Sequence, residues 1–287
     1  MGRSALAVAL VASWAAVAQQ AQNPSPMVEH TRIHQRLPEQ KPPGKREKLE
    51  LGQLFVPAAW KGGKGATVLF FFHGGTWLPE VAAARNRMAV VTVQGGAGSG
   101  SYARIFDDPK HFPRLLEEAE GKAGVHFTHV LLGGWSAGCG AIHQILLTPD
   151  SYARIDGALM IDGIHTSYTD GKPGPLESKI DTANLQIWLQ LARDAMAGRK
   201  RMIVTHSEIF PGTFASTTET ADYLVAQLGL KLQPVLRWGP MGLQQVSEAR
   251  SGKFRLMGFA GNSAPDHVDQ LHSLPVLLKA LAASKSD

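Results

Sequence analysis

The sequence predicts an α/β protein built on a mostly parallel central sheet with helices on both faces. Three observations carry that expectation. The apolar runs of strand length are continuous rather than alternating, as in strands buried on both sides: residues 66–72 read ATVLFFF and residues 88–93 read MAVVTV. Segments with helical periodicity alternate with these runs along the chain. The pentapeptide Gly134-Trp135-Ser136-Ala137-Gly138 sits between an apolar run, Val130-Leu131-Leu132, and a helix-compatible stretch, 137–147.

Taken in order, residues 49–57 read as a first strand and 66–72 as a second, buried one. A short helical piece around 81–84 precedes the strand at 88–93. Residues 112–123 read as a helix and 127–132 as the strand before Ser136. A strand follows at 157–161. Residues 181–197 have helical periodicity, with Asp181 or Thr182 able to cap them. A strand at 202–205, a helix at 218–228 and a last strand at 254–258 come next. A closing helix covers 267–283, with Pro275 a candidate kink. Because the alternation is unbroken, residues 49–287 are expected to form one domain.

Of the 287 residues, 44% are hydrophobic, enough for a sizeable core. The formal charge of +5 is scattered, with neither a basic stripe nor aromatic–basic interleaving, so a nucleic-acid partner is not expected. A single cysteine, Cys139, excludes an intrachain disulfide and a cysteine-based metal site, and reads as a small buried apolar residue. Residues 1–18 read as a signal peptide: Arg3 gives the positive start, residues 5–15 the apolar run, and Ala16-Val17-Ala18 the cleavage pattern. The expectation is a secreted or periplasmic protein without a membrane span in its mature chain. Residues 19–48 are polar and proline-rich, a linker or surface arm.

The pentapeptide is G-x-S-x-G, the pattern of a serine on a sharp strand-to-helix turn. Such a turn lifts the Ser136 hydroxyl out of the sheet and sets the Ala137 amide at a helix N-terminus, aimed at an oxyanion. A serine needs a base and an orienting acid to act as a nucleophile. In a parallel sheet these belong at the carboxyl ends of strands. After Phe72 comes His73-Gly74-Gly75-Thr76-Trp77, and past the last strand come two histidines, His267 and His272. Two acids follow strands beyond the serine, Asp162 and Glu208.

This order of strand, HGG, G-x-S-x-G, acid and histidine resembles the α/β-hydrolase fold family of serine hydrolases, its esterase members most. The resemblance runs from about residue 50 to the end. It implies an oxyanion hole from Gly74, Gly75 and Ala137, although Thr76 stands where the longer HGGG form has a glycine. It implies His267 as base, at a loop-to-helix junction, with His272 the alternative. For the acid it leaves two positions open, Asp162 flush at a strand end and Glu208 after a later strand. His73 reads as structural.

Trp77, Trp135 and His165 are candidate substrate-binding residues, and Tyr168 could add stacking surface. Residues 95–100 (GGAGSG) match neither G-x-G-x-x-G nor a P-loop and read as a flexible rim loop. Residues 166–178 could form a small lid. The expected activity is hydrolysis of small-molecule or polymer-borne carboxylic esters through an acyl-enzyme on Ser136, with no cofactor and no metal. A peptidase or other acyl hydrolase on the same scaffold, or a non-catalytic binding protein, are the alternatives. The sequence leaves the oligomeric state open.

Overall fold

In the computed structural model, residues 33–171 and 179–283 are described. The signal-peptide segment and part of the 166–178 stretch lie outside them. Ten strands form one sheet: β1 (Gly44–Leu49), β2 (Gly52–Pro57), β3 (Thr67–Phe72), β4 (Ala89–Val93), β5 (His129–Trp135), β6 (Gly157–Ile161), β7 (Arg201–His206), β8 (Gln233–Trp238), β9 (Gln244–Ser251) and β10 (Phe254–Phe259). Their order is β1-β2-β4-β3-β5-β6-β7-β10-β9-β8. The run from β4 to β10 is parallel throughout. The flanks are antiparallel: β1–β2 joins β4 at one edge, and β9 then β8 join β10 at the other.

Nine α-helices cover the described residues of the sheet: α1 (Trp77–Asn86), α2 (Ser99–Ile105), α3 (His111–Ala123), α4 (Cys139–Leu146), α5 (Pro149–Arg154), α6 (Gln186–Met196), α7 (Thr217–Gln227), α8 (Ala264–His272) and α9 (Leu274–Ala283). Strand β3 shows why both faces are covered. Val68, Phe70 and Phe72 enter one core with Phe112 of α3, Ile142 of α4 and Trp188 of α6. Leu69 and Phe71 enter a second core with Leu78 of α1 and Leu278 of α9. Successive side chains of a strand point to opposite faces, so an apolar run with no polar alternation requires two cores. Each fully buried phenylalanine contributes about 1.5–3 kcal/mol.

The differences from the sequence reading have local causes. Residues 49–57 are the end of β1, a turn at Glu50–Leu51 and β2 of a hairpin rather than one strand, and β1 begins inside the stretch read as linker or arm. Residues 99–105 within and beyond the glycine-rich rim loop are helical. The closing helix is two helices meeting at Ser273. Pro275, lacking an N–H, occupies the first turn of α9, where that donor is not needed. Strands β8 and β9 had no expected counterpart.

Candidate active site

Three neighbouring parallel strands, β3, β5 and β6, each hand the chain to a residue in the left-handed region: His73 (φ 73°), Ser136 (φ 49°) and Asp162 (φ 45°). Non-glycine residues reach this region at a cost of about 1–3 kcal/mol each, and such strain gathers at functional sites. Here it turns three side chains off the carboxyl edge of the sheet.

The Ser136 turn is held by glycines on every side. Ser136–Gly138 is one turn of 3-10 helix leading straight into α4. A Cβ on Gly138 would strike the Phe72 carbonyl. One on Gly134 would come within 2.9 Å of the Gly138 backbone, and one on Gly163 within 2.5 Å of the Ser136 carbonyl. The turn is therefore packed between the ends of β3 and β6 with no space for a side chain.

Asp162 is 2% exposed, and each of its carboxylate oxygens is bonded twice. Oδ1 accepts from the Ser207 N–H at 2.9 Å and from Thr217 Oγ1 at 2.6 Å. Oδ2 accepts from Ser207 Oγ and from His267 Nδ1, both at 2.7 Å. Burial alone would raise this carboxyl's pKa. The hydrogen bond and charge of His267, with the two hydroxyls, outweigh it and bring it down to about 2. An ionised carboxylate only accepts, so His267 carries its proton on Nδ1, leaving Nε2 as the basic nitrogen of the neutral ring. The backbone of Asp162 is fixed as well: its N–H reaches the Thr205 carbonyl at 3.0 Å and lies 3.2 Å from Thr205 Oγ1, which donates to Gln270 on α8.

His267 sits in the first turn of α8. Ser263 and Asp266 close a capping box at that helix start. Trp135, next to Ser136, donates Nε1 to the His267 carbonyl at 3.1 Å, and its ring lies 4.6 Å from the His267 ring. His73 stacks on the same indole at 5.0 Å and meets Tyr102 Oη at 2.9 Å. Burial, with the His267 charge, lowers the His73 pKa.

The structure bonds His267 to Asp162 and sets Ser136 at the end of the strand beside that of Asp162, and it separates the alternatives. Glu208 is exposed, and its carboxylate accepts the Gly261 N–H at 3.3 Å instead of meeting His267. His272 accepts the Leu37 N–H at 3.1 Å and packs edge-on against Trp77. Gly74 and Gly75 follow His73 at φ 93° and 81°. A Cβ on Gly74 would come within 2.7 Å of Leu271, whereas the space above Gly75 is open.

A cleft of about 580 Å³ opens beside Ser136 and Ala137. His165, His143, Trp188, Phe214 and residues 97–100 line it, and among the described residues the lining has no acidic, lysine or arginine side chain. Burial lowers the pKa of both His143 and His165, favouring their neutral forms. Of the candidate substrate-binding residues, His165 lines this cleft. Trp77 and Trp135 do not: one packs on His272, the other between His73 and His267. Tyr168 is buried, its hydroxyl donating to Glu219 at 3.0 Å. Burial pushes the Cys139 thiol far up, as suits an inert apolar residue.

Ser207 and Thr217 were not foreseen. Ser207 lies one residue past β7, and Thr217 follows Ser216 of a Ser-Thr-Thr-Glu capping box. That box marks a helix start in the sequence, but says nothing of what the next hydroxyl reaches.

No family model matches this chain, and no curated protein is similar to it in sequence. Solved structures similar to it include an esterase from Thermogutta terrifontis, at 16% identity over 83% of this chain and 93% of that one, with a TM-score of 0.48. An acetyl xylan esterase from Aspergillus awamori is similar at 14% identity over 77% and 93%, TM-score 0.43. A poly(3-hydroxybutyrate) depolymerase from Bordetella parapertussis is similar at 14% over 82% and 84%, TM-score 0.46. The strand order and the turn at Ser136 are those of an α/β-hydrolase fold.

Proposed function

We propose that this protein is a serine hydrolase that cleaves uncharged carboxylic esters. The observation that carries the reading is the 2.7 Å bond between His267 and the buried Asp162 carboxylate, beside the strained Ser136 at the end of the adjoining strand. Ser136 attacks the ester carbonyl as His267 Nε2 takes its proton. The same nitrogen returns the proton to the leaving alcohol, and water then repeats the cycle on the acyl-enzyme. Asp162 keeps the proton on Nδ1 and stabilises the imidazolium. The Ala137 amide, with an amide of the Gly74-Gly75 loop, holds the oxyanion. The cleft lining supports a neutral substrate, because none of the described side chains there is an acid, lysine or arginine that would compensate a charge. Residues 1–18 act as an export leader, so the mature chain begins at Gln19.

The test is hydrolysis of p-nitrophenyl butyrate by the parent and by Ser136→Ala. The expected result is turnover by the parent and a loss of about 10⁴-fold or more in the variant. Equal rates in the two would refute the assignment.

A further inference from the structure

Helix α8 carries His267 to Asp162, and a segment far away in sequence grips that helix. His34 Nδ1 lies 2.6 Å from Asp269 Oδ2, and Arg36 donates Nε to Asp269 Oδ1 at 2.8 Å. The Arg36 guanidinium also donates to the Pro265 carbonyl at 3.0 Å, and the Leu37 N–H donates to His272 Nδ1 at 3.1 Å. Residues 33–37 therefore touch the nine-residue helix before and after His267. Asp269 lies two positions beyond His267, roughly 200° around the helix, so the strap and Asp162 hold it from opposed sides.

Asp269 is 0% exposed, and a buried carboxylate needs compensating donors. His34, Asp266 and Asp269 present ligand atoms within 4.8 Å of one another. Described partners already engage these groups: Asp266 Oδ2 accepts from Ser263, and Arg36 supplies positive charge at Asp269. The group is an ion network that anchors a helix.

We propose that residues 33–37 form a strap that sets the position of His267, with Asp269 as the positioning residue and His34 and Arg36 as its anchors. The kinetic consequence rests on the ester-hydrolase reading. A shift of α8 by about 1 Å would misplace the base enough to cost up to 100-fold in rate.

The experiment compares the full chain with His34→Gln/Arg36→Gln, and with Arg36→Gln alone as the milder variant should the double one not fold. With p-nitrophenyl butyrate, kcat is expected to fall about tenfold or more with KM within about twofold, and Arg36→Lys to recover part of the loss. In a His267→Ala background the strap substitutions are expected to change the residual rate by less than about twofold, because they act through His267. Proton NMR reads the same geometry without turnover: the downfield Nδ1 proton shared by His267 and Asp162 is expected to shift or exchange away. A folded variant with parental kcat and an unmoved Nδ1 proton overturns the strap, as does an equal rate loss in both backgrounds. A parent that hydrolyses no ester refutes the function instead, and the NMR signal then decides the strap alone.

Discussion

The carboxyl edge of the parallel strands and the antiparallel edge formed by β8 and β9 belong to one sheet but obey different physics. At the centre, β3, β5 and β6 are buried on both faces, and each runs into a residue with left-handed backbone. At the edge, β8 exposes most of its residues, with Leu236 79% and Trp238 73% exposed, and its backbone pairs on one side only. Burial makes the centre intolerant of change, and that rigidity lets it hold three left-handed residues in place. The groups proposed to be catalytic therefore sit where the sheet is buried on both faces.

The contrast can be broken most sharply at the centre. Asp162→Asn is expected to lower kcat by about 10³–10⁴-fold, because the amide no longer holds the His267 proton on Nδ1. Glu208→Gln, at the rival acid, is expected to change kcat by less than about threefold; steady-state kinetics on both variants decides between the two carboxylates. The packing of the serine turn gives the next effect. Gly138→Ala drives a methyl into the Phe72 carbonyl and is expected to destabilise the fold by about 1–3 kcal/mol. Trp238→Ser at the edge is expected to stay within about 0.5 kcal/mol. Urea midpoints would give both values, and a Trp238 effect as large as that of Gly138 would erase the distinction.

A further effect is on pH dependence. Burial lowers the pKa of His206, which is buried beside the centre. The native state then binds fewer protons than the unfolded chain, so stability falls as pH drops below the ordinary value of 6.5. The slope from one such group is about 1.4 kcal/mol per pH unit at most. His206→Gln is expected to shallow the decline in melting temperature between pH 6.5 and 5. Asp162 acts in a lower window: its contribution is present above about 3.9 and lost as pH falls toward its native value of about 2.

The same contrast explains what could be read from the chain. Residues 66–72 and 157–161 declare themselves as strands because both faces are apolar. Strand β8 carries Pro234 and Arg237 and buries neither face, so it leaves no periodic signal. Ser136 and the histidine at the start of α8 follow from motif order. The choice between Asp162 and Glu208 does not, since it depends on where β6 and β7 end relative to α8. The tryptophans mislead for a related reason. An aromatic next to a candidate nucleophile looks like a binding surface, whereas Trp135 packs on the His267 ring and bonds its backbone. The strap is the least legible feature, because His34 and Arg36 stand in a proline-rich polar stretch whose composition suggests only a linker.

The central claim is that Ser136 is made nucleophilic by His267 and Asp162. Mapping the adduct of a fluorophosphonate probe by peptide mass spectrometry tests it most directly. A single adduct on the peptide carrying Ser136 in the parent, formed far more slowly in His267→Ala and Asp162→Asn, is the predicted result. An adduct on another residue, or labelling at the parental rate in both variants, would contradict it.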